Sequence, residues 1–594
     1  MDPDSGEDDM PDRASPGRAG GHLLHVLYEV QQRLRHIPRD AICDVADRLG
    51  LPMSQVESVV DFYAFFSRTP RGRYDILFST CTSCGHVHGE TDLLQVLCER
   101  LGVAAGQTRA DGLVSIGTTS CVGMCDQGPA ALVNGVPLIG LDAGRLGDVA
   151  ERVEAGSPLA DWPGEWFDVE DHVHRPGLLL ASPWQDGAAI RASLDAGPEA
   201  MLAEITRSGL RGRGGAGFGT GMKWQFCRQA DAGERIVVCN ADEGEPGTFK
   251  DRVLLTDHAD MMFEGMTVCA HVIGARRGFV YLRGEYRYLL PALTETLARR
   301  RQAGLLGAGI LGRDGFDFDI EIIVGAGAYI CGEESALIES MEEKRGIPRI
   351  RPPFPVTHGY LGLPTVVNNV ETLAAAAAIA VHGADWFAAQ GTDQSKGSKL
   401  LSISGDCAAP GIYEYAFGVT MRQILDDCGA NEAQAVQVGG PAGTLIGPAD
   451  FERRLAFEDL ATGGSLMVYG RQWDLLDVIR NFARFFVHES CGFCTPCRVG
   501  TSLLRNALGK IGRGHGTHYD VEEMRRVAAL VKRRSHCGLG QTAPNPILDL
   551  LARFPGVIEV YLAHGGFEPY FDLDASLEEA RQLSHRSDAE AHLR

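Results

Sequence analysis

The sequence predicts an α/β protein of several domains, and three observations support this fold class. The chain has 594 residues, against roughly 100–200 for an ordinary domain, so about three to five folded units are expected. Apolar residues make up 44% and charged residues 23% of the composition, as in folded globular proteins. Helical patterns alternate with short β-rich runs along most of the chain. Several hydrophobic cores can therefore form.

Charge and hydropathy exclude several classes of function. The formal net charge is −22, which argues against a nucleic-acid partner because such proteins concentrate Lys and Arg. The most apolar stretch, residues 373–381, is about half of the ~20 residues that cross a bilayer. The acidic start MDPDSGEDDM lacks the apolar segment of a signal peptide. We expect a cytoplasmic protein without a membrane span.

Pattern and composition divide the chain into six predicted segments. An amphipathic helix pattern, HLLHVLYEVQQRLRHI, followed by runs such as DILFS and GLVSIG indicates a small α/β unit. RIVVCN, GFVYLRG and IEIIVGAG predict a second sheet with helical cover, and VEEMRRVAALVKRR indicates a helical bundle. The predicted segments are a disordered tail (1–21), the first α/β unit (22–157), a Pro- and Trp-rich linker (158–199), the second α/β unit (200–404), a small β-rich module (405–469) and the bundle (470–594).

The cysteines of ESCGFCTPCRVG are the strongest chemical signal. Cys491, Cys494 and Cys497 form two Cys-x-x-Cys steps, which place three thiolates around one small volume. Cys537 in SHCGLG supplies a fourth thiolate. A 4Fe-4S cluster requires such a set. Zinc also accepts four thiolates, but its usual pattern is two separated pairs. We expect a 4Fe-4S cluster, with zinc as the alternative.

A second cysteine group lies in the N-terminal unit. Cys81 and Cys84 form one pair and Cys121 and Cys125 form another, and each pair closes a short predicted strand. Two pairs suit a 2Fe-2S cluster or zinc, whereas a redox-active Cys-x-x-Cys would also sit naturally after a strand. The independent 4Fe-4S signal favours the iron-sulfur interpretation.

A glycine-rich segment, GLRGRGGAGFGTGMKW, suggests a ligand loop. Gly212, Gly214 and Gly217 have the G-x-G-x-x-G order, which lets backbone amides approach a phosphate or a planar ring. A helix-like segment precedes it, whereas the dinucleotide fingerprint follows a strand. A structural loop is therefore the alternative.

Two further glycine turns carry acids. Acids beside such turns can accept hydrogen bonds from ribose hydroxyls and isoalloxazine nitrogens, although solvated acidic loops are the alternative. Phe218 and Phe226 can stack on flat rings, and Lys223 can offset ligand charge. The polar members of the two turns are Asn240, Asp242, Glu243, Glu245, Glu333 and Glu334.

Together these motifs closely resemble the NADH-binding flavoprotein subunit of respiratory complex I and of soluble NAD-linked hydrogenases and formate dehydrogenases, over residues 201–564. The N-terminal unit is similar to the thioredoxin-like 2Fe-2S subunit of the same enzymes, fused ahead of the flavoprotein. With PRIRPPFPVTHGYLGLPT, the arrangement is most similar to the diaphorase subunits of bidirectional NAD-reducing [NiFe] hydrogenases. The resemblance implies a thioredoxin-like domain, a Rossmann-like FMN- and NADH-binding domain, a ubiquitin-like β-grasp (SLBB-type) domain at 405–469 and a bundle that holds the 4Fe-4S cluster.

The resemblance also implies the reaction and the binding residues. Hydride passes between nicotinamide C4 and flavin N5, so no catalytic side chain is expected. The 4Fe-4S cluster is the exit toward an iron-sulfur ferredoxin-like subunit and, through it, the hydrogenase small and large subunits, and the 2Fe-2S cluster is a side store. An acid at Glu334 near the adenosine ribose favours NAD over NADP. The implied FMN residues are Gly212, Arg213, Gly214, Lys223, Asn240, Asp242, Glu243, Tyr329, Gly332, Glu333, Asn368, Asn369 and Thr372; the implied NADH residues are Phe218, Phe226, Glu245, Glu334 and Phe354.

Two positions depart from the family pattern. Complex I members usually carry Lys two residues before the Pro-Phe of their KPPF motif, where this chain has Arg351. Arginine keeps the charge but offers a fork of donors. The first position of the usual Cys-x4-Cys pair aligns with Ser79, so Cys81 must substitute as the first 2Fe-2S ligand.

Three related enzymes and one non-enzyme remain as alternatives. The chain could serve an NAD-dependent formate dehydrogenase, a complex I-type NADH dehydrogenase or an electron-bifurcating hydrogenase. Bifurcating relatives usually append a ferredoxin tail with eight cysteines, and here no cysteine follows Cys537. The alternative from another class is a zinc-stapled scaffold that docks subunits without redox activity.

Overall fold

The computed structural model describes residues 21–84, 92–563, 573–586, 588 and 592. Apart from Gly21, the predicted tail lies outside the described residues. The described strands form three sheets, of five, four and six strands. Within the described part of the chain, no helix combines the length and the apolar character needed to cross a membrane.

The first sheet belongs to the N-terminal unit. Its order is β2-β3-β1-β4-β5; β1 pairs parallel with β3 and antiparallel with β4. The elements are α1 (Leu23–Leu34), α2 (Arg39–Leu49), α3 (Met53–Phe62), β1 (Tyr74–Ser79), α4 (Leu93–Leu101), β2 (Gln107–Thr108), β3 (Val114–Thr119), β4 (Ala131–Val133), β5 (Val136–Leu138) and α5 (Ala143–Glu154).

The third sheet takes its first strand, β6 (Val173–Arg175), from the predicted linker. The second α/β unit then follows. Its elements are α6 (Ala188–Ala196), α7 (Pro198–Arg207), α8 (Thr220–Gln229), β7 (Ile236–Ala241), α9 (Lys250–Asp257), α10 (Ala259–Ile273), β8 (Arg277–Leu282), α11 (Leu290–Gln302), β9 (Asp319–Val324), α12 (Glu334–Met341), α13 (Pro355–His358), β10 (Thr365–Asn369), α14 (Val370–His382) and α15 (Ala384–Ala388).

The second sheet is wholly parallel, with the order β10-β7-β8-β9. Its strands are continuous apolar runs such as Ile236–Ala241, as expected for strands that are covered on both faces. Read from the other edge, the order is three-two-one-four, so the chain changes direction between β7 and β10. In such sheets the ligand crevice lies at the carboxyl ends of the two strands that flank this switch. Asn240 and Asn369 pair across it.

The third sheet has the order β14-β13-β15-β11-β12-β6. Its strand β11 begins at Ser398, ahead of the predicted boundary at 405, because it pairs with β12 and β15 and not with the parallel sheet. The elements are β11 (Ser398–Gly405), β12 (Gly411–Ala416), α16 (Met421–Asp427), β13 (Ala435–Val438), β14 (Thr444–Ile446) and β15 (Ser465–Tyr469).

The C-terminal part is helical throughout its described residues. Helix α17 packs on α18, and α18 packs on α19. The helices are α17 (Leu475–Glu489), α18 (Thr495–Gly512), α19 (His518–Arg534), α20 (Gly538–Thr542), α21 (Asn545–Arg553), α22 (Pro555–Glu559), α23 (Leu573–Ser576) and α24 (Glu578–Ser584).

Helices α1 to α3 pack on the second α/β unit. The Tyr28 hydroxyl donates to the carbonyl oxygen of Gly325 at 2.8 Å, and the Tyr63 hydroxyl donates to Ser340 Oγ at 2.6 Å. His25 Nε2 accepts the backbone N–H of Val324 at 3.0 Å. The N-terminal helices therefore share a hydrophobic core with the second α/β unit, at its edge strand β9.

Gly265 provides the first prediction. A Cβ at this residue of α10 would lie 2.0 Å from the carbonyl oxygen of Leu373 in α14. Gly265→Ala should therefore lower the free energy of unfolding by about 1–3 kcal/mol, because the backbone of α10 or α14 must move to make room for the new methyl group. Gly509→Ala in α18 is the control: its nearest new neighbour is 3.5 Å away, and alanine favours helix by about 0.5–1 kcal/mol. Thermal unfolding of both variants is the measurement, and equal midpoints would contradict the close packing.

His25 provides the second prediction. Burial, His22 and Arg287 lower its pKa to about 4, and Glu29 opposes them. The neutral ring must accept from Val324, so this contribution to stability is complete above the ordinary pKa of 6.5 and is lost as the pH falls toward 4. The protection of the α1 amides, measured by hydrogen exchange relative to the intrinsic exchange rate at each pH, should fall over that range.

His25→Gln should reduce this acid sensitivity, because glutamine offers an oxygen that does not titrate there. His518→Gln is the control, since the His518 side chain is 76% exposed. If the α1 amides of wild type and His25→Gln lose the same protection between pH 7 and pH 4.5, His25 is not the source of the acid sensitivity.

Candidate functional site: a cavity between two cysteine centres

A cavity of about 460 Å³ lies at the carboxyl ends of β7 and β10. The glycine loop forms one wall, and a turn at Tyr329–Gly332 after β9 forms another. Of the eighteen predicted FMN and NADH residues, nine line it: Gly214, Asn240, Asp242, Glu243, Glu245, Tyr329, Gly332, Glu333 and Asn369. The site therefore occupies the position that the strand order indicates.

The acids of the turn after β7 meet different environments. Burial raises the pKa of Asp242 well above its usual range, although Arg283 opposes the shift. Its Oδ2 atom is buried without a hydrogen-bond partner among the described residues. Burial also raises the pKa of Glu245 to about 7, and this carboxyl accepts from the Tyr329 hydroxyl at 2.5 Å and from the Ala442 N–H at 2.8 Å.

Glu243 and Glu333 cap helices beside the cavity. Glu243 accepts the backbone N–H groups of Asp251 and Arg252, at 2.8 and 3.2 Å, in the first turn of α9. Glu333 accepts the N–H groups of Ser335 and Ala336 at 3.0 Å each, at the start of α12. Carboxylates at helix N-termini satisfy otherwise unpaired donors. Both acids therefore hold the cavity wall in place.

The five remaining predicted FMN residues do not line this cavity: Gly212, Arg213, Lys223, Asn368 and Thr372. The backbone N–H of Arg213 donates to Thr372 Oγ1 at 2.9 Å. The Asn368 side chain accepts from the Trp224 indole at 2.8 Å. Lys223 pairs with Glu334 at 2.9 Å. Gly212 donates its N–H to the carbonyl oxygen of Phe218, which closes the glycine loop.

Lys250 is a lining residue that the sequence analysis did not nominate. Its ammonium group is buried and lies 2.5 Å from Asp251 and 3.1 Å from Glu371. Lys399 is equally buried and also pairs with Glu371. The sequence feature that could have identified Lys250 is the charged run GTFKDR directly after a glycine turn. The lining residues Ala442, Gly443, Thr462 and Gly463 were also missed, because they come from the third sheet, far away in sequence.

The predicted nucleotide residues include three exposed aromatic rings. Phe218, Phe226 and Phe354 are 45%, 47% and 52% exposed. Phe226 lies on α8 and Phe354 precedes α13, and these two helices are in contact. Arg351 lies 3.7 Å from Glu334. The rings are thus available for stacking on a ligand.

The four C-terminal cysteines converge although Cys537 is distant in sequence. Cys491 and Cys494 pack against the core that contains the buried Cys497 and Cys537. Burial raises the pKa of Cys497 to about 11 and that of Cys537 to about 12, and neighbouring thiols contribute. Such thiols become thiolates when a positive metal centre binds them. The His536 N–H points at Cys494 Sγ over 3.5 Å.

The N-terminal cysteines form a tighter group. The sulfur atoms of Cys81, Cys121 and Cys125 lie within 4.8 Å of one another and are buried. The side chain of Cys84 lies outside the described part of the chain, and the backbone of Thr82–Cys84 forms a single 3-10 turn. The Ser79 hydroxyl accepts from the Cys81 N–H at 3.4 Å. Three of the four predicted 2Fe-2S ligands are thus together.

Ligand spacing distinguishes the two cysteine groups. A single zinc ion with Zn–S bonds of about 2.3 Å holds its thiolates about 3.8 Å apart. Among the described residues, only the N-terminal group brings three candidate ligand atoms within 4.8 Å. The C-terminal cysteines are not such a group among the described residues, and their two Cys-x-x-Cys steps with a distant fourth cysteine are the pattern that favours a cluster of several irons.

The cavity lies between the two groups. Gly538, Leu539 and Thr542 line it and directly follow Cys537. On the opposite side, Glu243 accepts from the Tyr286 hydroxyl at 2.9 Å. Tyr286 packs on Gly123, where a Cβ would lie 2.4 Å from the tyrosine oxygen.

The cavity fits a flavin nucleotide in size and chemistry. Its volume is within the range of small-ligand sites, about 300–1,000 Å³. Asp242 Oδ2 and Thr248 Oγ1 are buried polar atoms in its wall without protein partners among the described residues, so a polar ligand can satisfy them. The glycines of the loop leave room for a flat ring.

Three family models match the chain. They are the Nuo51 FMN-binding domain over residues 205–378, the thioredoxin-like [2Fe-2S] ferredoxin over residues 12–154 and the NADH-ubiquinone oxidoreductase-F iron-sulfur binding region over residues 477–561. The second confirms the predicted thioredoxin-like unit. The first and third agree with the cofactors predicted for the central and C-terminal parts.

Individual relatives point to the same enzymes. The chain is 44% identical to the alpha subunit of the NAD-reducing hydrogenase HoxS of Cupriavidus necator, over 93% of this chain and 94% of that protein. It is 42% identical to the NADP-reducing hydrogenase subunit HndC of Solidesulfovibrio fructosivorans, over 61% and 76%. It is 40% identical to an NADH-quinone oxidoreductase subunit of Streptomyces coelicolor, over 64% and 87%.

A solved structure agrees over almost the whole chain. The chain superposes on a chain of an NAD+-reducing [NiFe]-hydrogenase in the H2-reduced state with a TM-score of 0.89 and 44% identity, covering 96% of this chain and 98% of the other. The chain therefore belongs to the family of NAD-reducing hydrogenase alpha subunits, which are NAD-linked oxidoreductase subunits with FMN-binding and iron-sulfur domains.

Proposed function

We propose that the 460 Å³ cavity binds FMN and that the chain is the diaphorase subunit of a soluble, cytoplasmic NAD-reducing hydrogenase. The observation that carries this proposal is the position of the cavity. It borders the helix that follows Cys537 on one side and reaches the Cys121–Cys125 loop through Glu243 and Tyr286 on the other. A flavin here is adjacent to both cysteine groups.

Nucleotide binding is assigned to the exposed aromatic side chains. Phe218, Phe226 and Phe354 offer faces for stacking, and Glu245 lies in the cavity wall. Glu334 would repel a ribose 2′-phosphate and so favours NAD over NADP. Its pairing with Lys223 and its closeness to Arg351 partly offset that charge, so the preference depends on all three residues.

FMN bound in this cavity would supply the conversion between two-electron hydride transfer with NADH and one-electron transfer to the clusters. The protein holds the two rings in register and excludes water. Asp242 and Asn240 offer polar groups to the flavin, and Asn369, which bonds to Asp251 at 2.6 Å, does so from β10. No side chain needs to act as an acid or base in the hydride step.

The cysteine groups are assigned to two iron-sulfur clusters. Cys491, Cys494, Cys497 and Cys537 hold the 4Fe-4S exit cluster. Cys81, Cys84, Cys121 and Cys125 hold a 2Fe-2S cluster that serves as a side store. The two Cys-x-x-Cys steps with a distant fourth cysteine favour a cluster over zinc, whose usual pattern is two separated pairs.

An apolar surface beside the exit cluster is proposed as the docking site for the next subunit. Val499 and Leu503 lie one turn apart on α18, which begins in the cluster loop, and are 44% and 47% exposed. Phe493, 49% exposed, lies between two of the ligands. The proposed partner is an iron-sulfur ferredoxin-like subunit that relays electrons to the hydrogenase small and large subunits.

The third sheet with α16 is assigned to a ubiquitin-like β-grasp domain, and α17 to α22 are assigned to the cluster-bearing bundle.

The first test is an anaerobic absorbance spectrum before and after addition of NADH, with flavin and iron assayed after acid release. We expect one FMN and about four to six irons per chain, as clusters of these two types require, and bleaching by NADH. NADPH should bleach the protein more slowly. A colourless protein that contains zinc would contradict the proposal and favour the alternative, a zinc-stapled scaffold that docks subunits.

A second test asks whether Cys81 replaces Ser79 as a cluster ligand. Cys81→Ser should lower the iron content by about two atoms and abolish the 2Fe-2S EPR signal, because a 2Fe-2S cluster needs its four ligands. The 4Fe-4S signal should persist. Cys98→Ser is the matched control, since Cys98 is a buried cysteine of the same unit on α4. Full iron in Cys81→Ser would assign the ligand to another residue.

A further inference from the structure

One buried carboxylate touches the surroundings of all three redox sites. Glu489 ends α17, is 8% exposed and precedes Cys491 by two residues. Its Oε1 accepts from the hydroxyl of Ser120, the residue before Cys121. Its Oε2 accepts the backbone N–H of Tyr329, a residue of the cavity wall, at 3.0 Å. A single side chain thus joins the three domains where their sites meet.

Two other residues on the same face of α17 contact the same two regions, the N-terminal cysteine loop and the cavity wall. Asn481 Nδ2 donates to the carbonyl oxygen of Thr80, next to Cys81, at 2.9 Å. The ring of Phe485 packs edge-on against Tyr329 with centroids 5.0 Å apart. Residues four positions apart share a helix face, so α17 contacts the 2Fe-2S loops and the flavin wall along one line. Its C-terminus leads directly into the 4Fe-4S loop.

We propose that Glu489 is a positioning residue that sets the separations between the flavin cavity and the two clusters. The proposal rests on the proposed function of the cavity. Electron transfer between fixed centres depends steeply on their separation, whereas hydride transfer depends only on geometry inside the cavity. Loss of the carboxylate should therefore slow cluster reduction and leave flavin reduction unchanged. A role confined to stability would change neither rate in fully loaded protein.

The test is anaerobic stopped-flow mixing of the purified, fully loaded chain with NADH, recording flavin bleaching and cluster reduction separately. For Glu489→Ala we expect cluster reduction to slow by at least about tenfold, equivalent to about 1.4 kcal/mol. Flavin bleaching, FMN and iron content, and the EPR line shape of each cluster should stay as in wild type. Glu489→Gln keeps one acceptor oxygen and should restore part of the rate.

Arg484→Gln is the control, since Arg484 is an exposed residue of the same helix. If Glu489→Ala loses cofactors, Glu489→Gln and Asn481→Ala carry the test, because each removes fewer contacts. If both variants keep their full cofactor content and reduce their clusters at the wild-type rate, the proposal is overturned. A wild-type protein that NADH does not bleach would refute the proposed function, and this proposal with it.

Discussion

The arrangement of the redox sites depends on a buried ion pair between two domains. Arg252 of α9 is fully buried and bonds to both carboxylate oxygens of Asp126, at 3.0 and 2.9 Å, and to the carbonyl oxygen of Gly123. Arg283 reaches the carbonyl oxygen of Cys121 at 2.6 Å. Removing one partner of such a pair costs about 3–5 kcal/mol. Two arginines of the flavin-binding unit therefore hold the N-terminal cysteine loop against it.

A network of buried charges also shapes the cavity. Lys250 and Lys399 share Glu371, and all three side chains are buried. Burial lowers the pKa of Lys399 to about 7, although Glu371 opposes the shift. Charges that bind one another in this way leave few groups free for a ligand. Among the described residues of the wall, Asp242 Oδ2 and Thr248 Oγ1 are exceptions without a hydrogen-bond partner, and this makes them natural contacts for a polar cofactor.

Local spacing predicted the chemistry more completely than it predicted the limits of the folded units. The Cys-x-x-Cys steps at Cys491–Cys497 carry their own geometry, because cysteines this close together in the chain are also close together in space. The glycine and acidic turns likewise identified six residues of the cavity wall, and the family resemblance added Tyr329, Gly332 and Asn369. Strand β6, inside the predicted linker, and the start of β11 at Ser398 were not evident, because short strands acquire their role only through pairing with distant partners. The choice among individual ligands stays a prediction.

By itself, the sequence determined the α/β class, the two cysteine groups and the types of residue that surround the ligand. These properties depend on short-range patterns, which the chain carries before it folds. Only the tertiary structure decided that Lys250 lines the cavity, that the third sheet supplies Ala442 and Thr462 to its wall, and that Glu489 reaches both Ser120 and Tyr329. Those contacts join residues up to hundreds of positions apart, and packing among three domains alone brings them together.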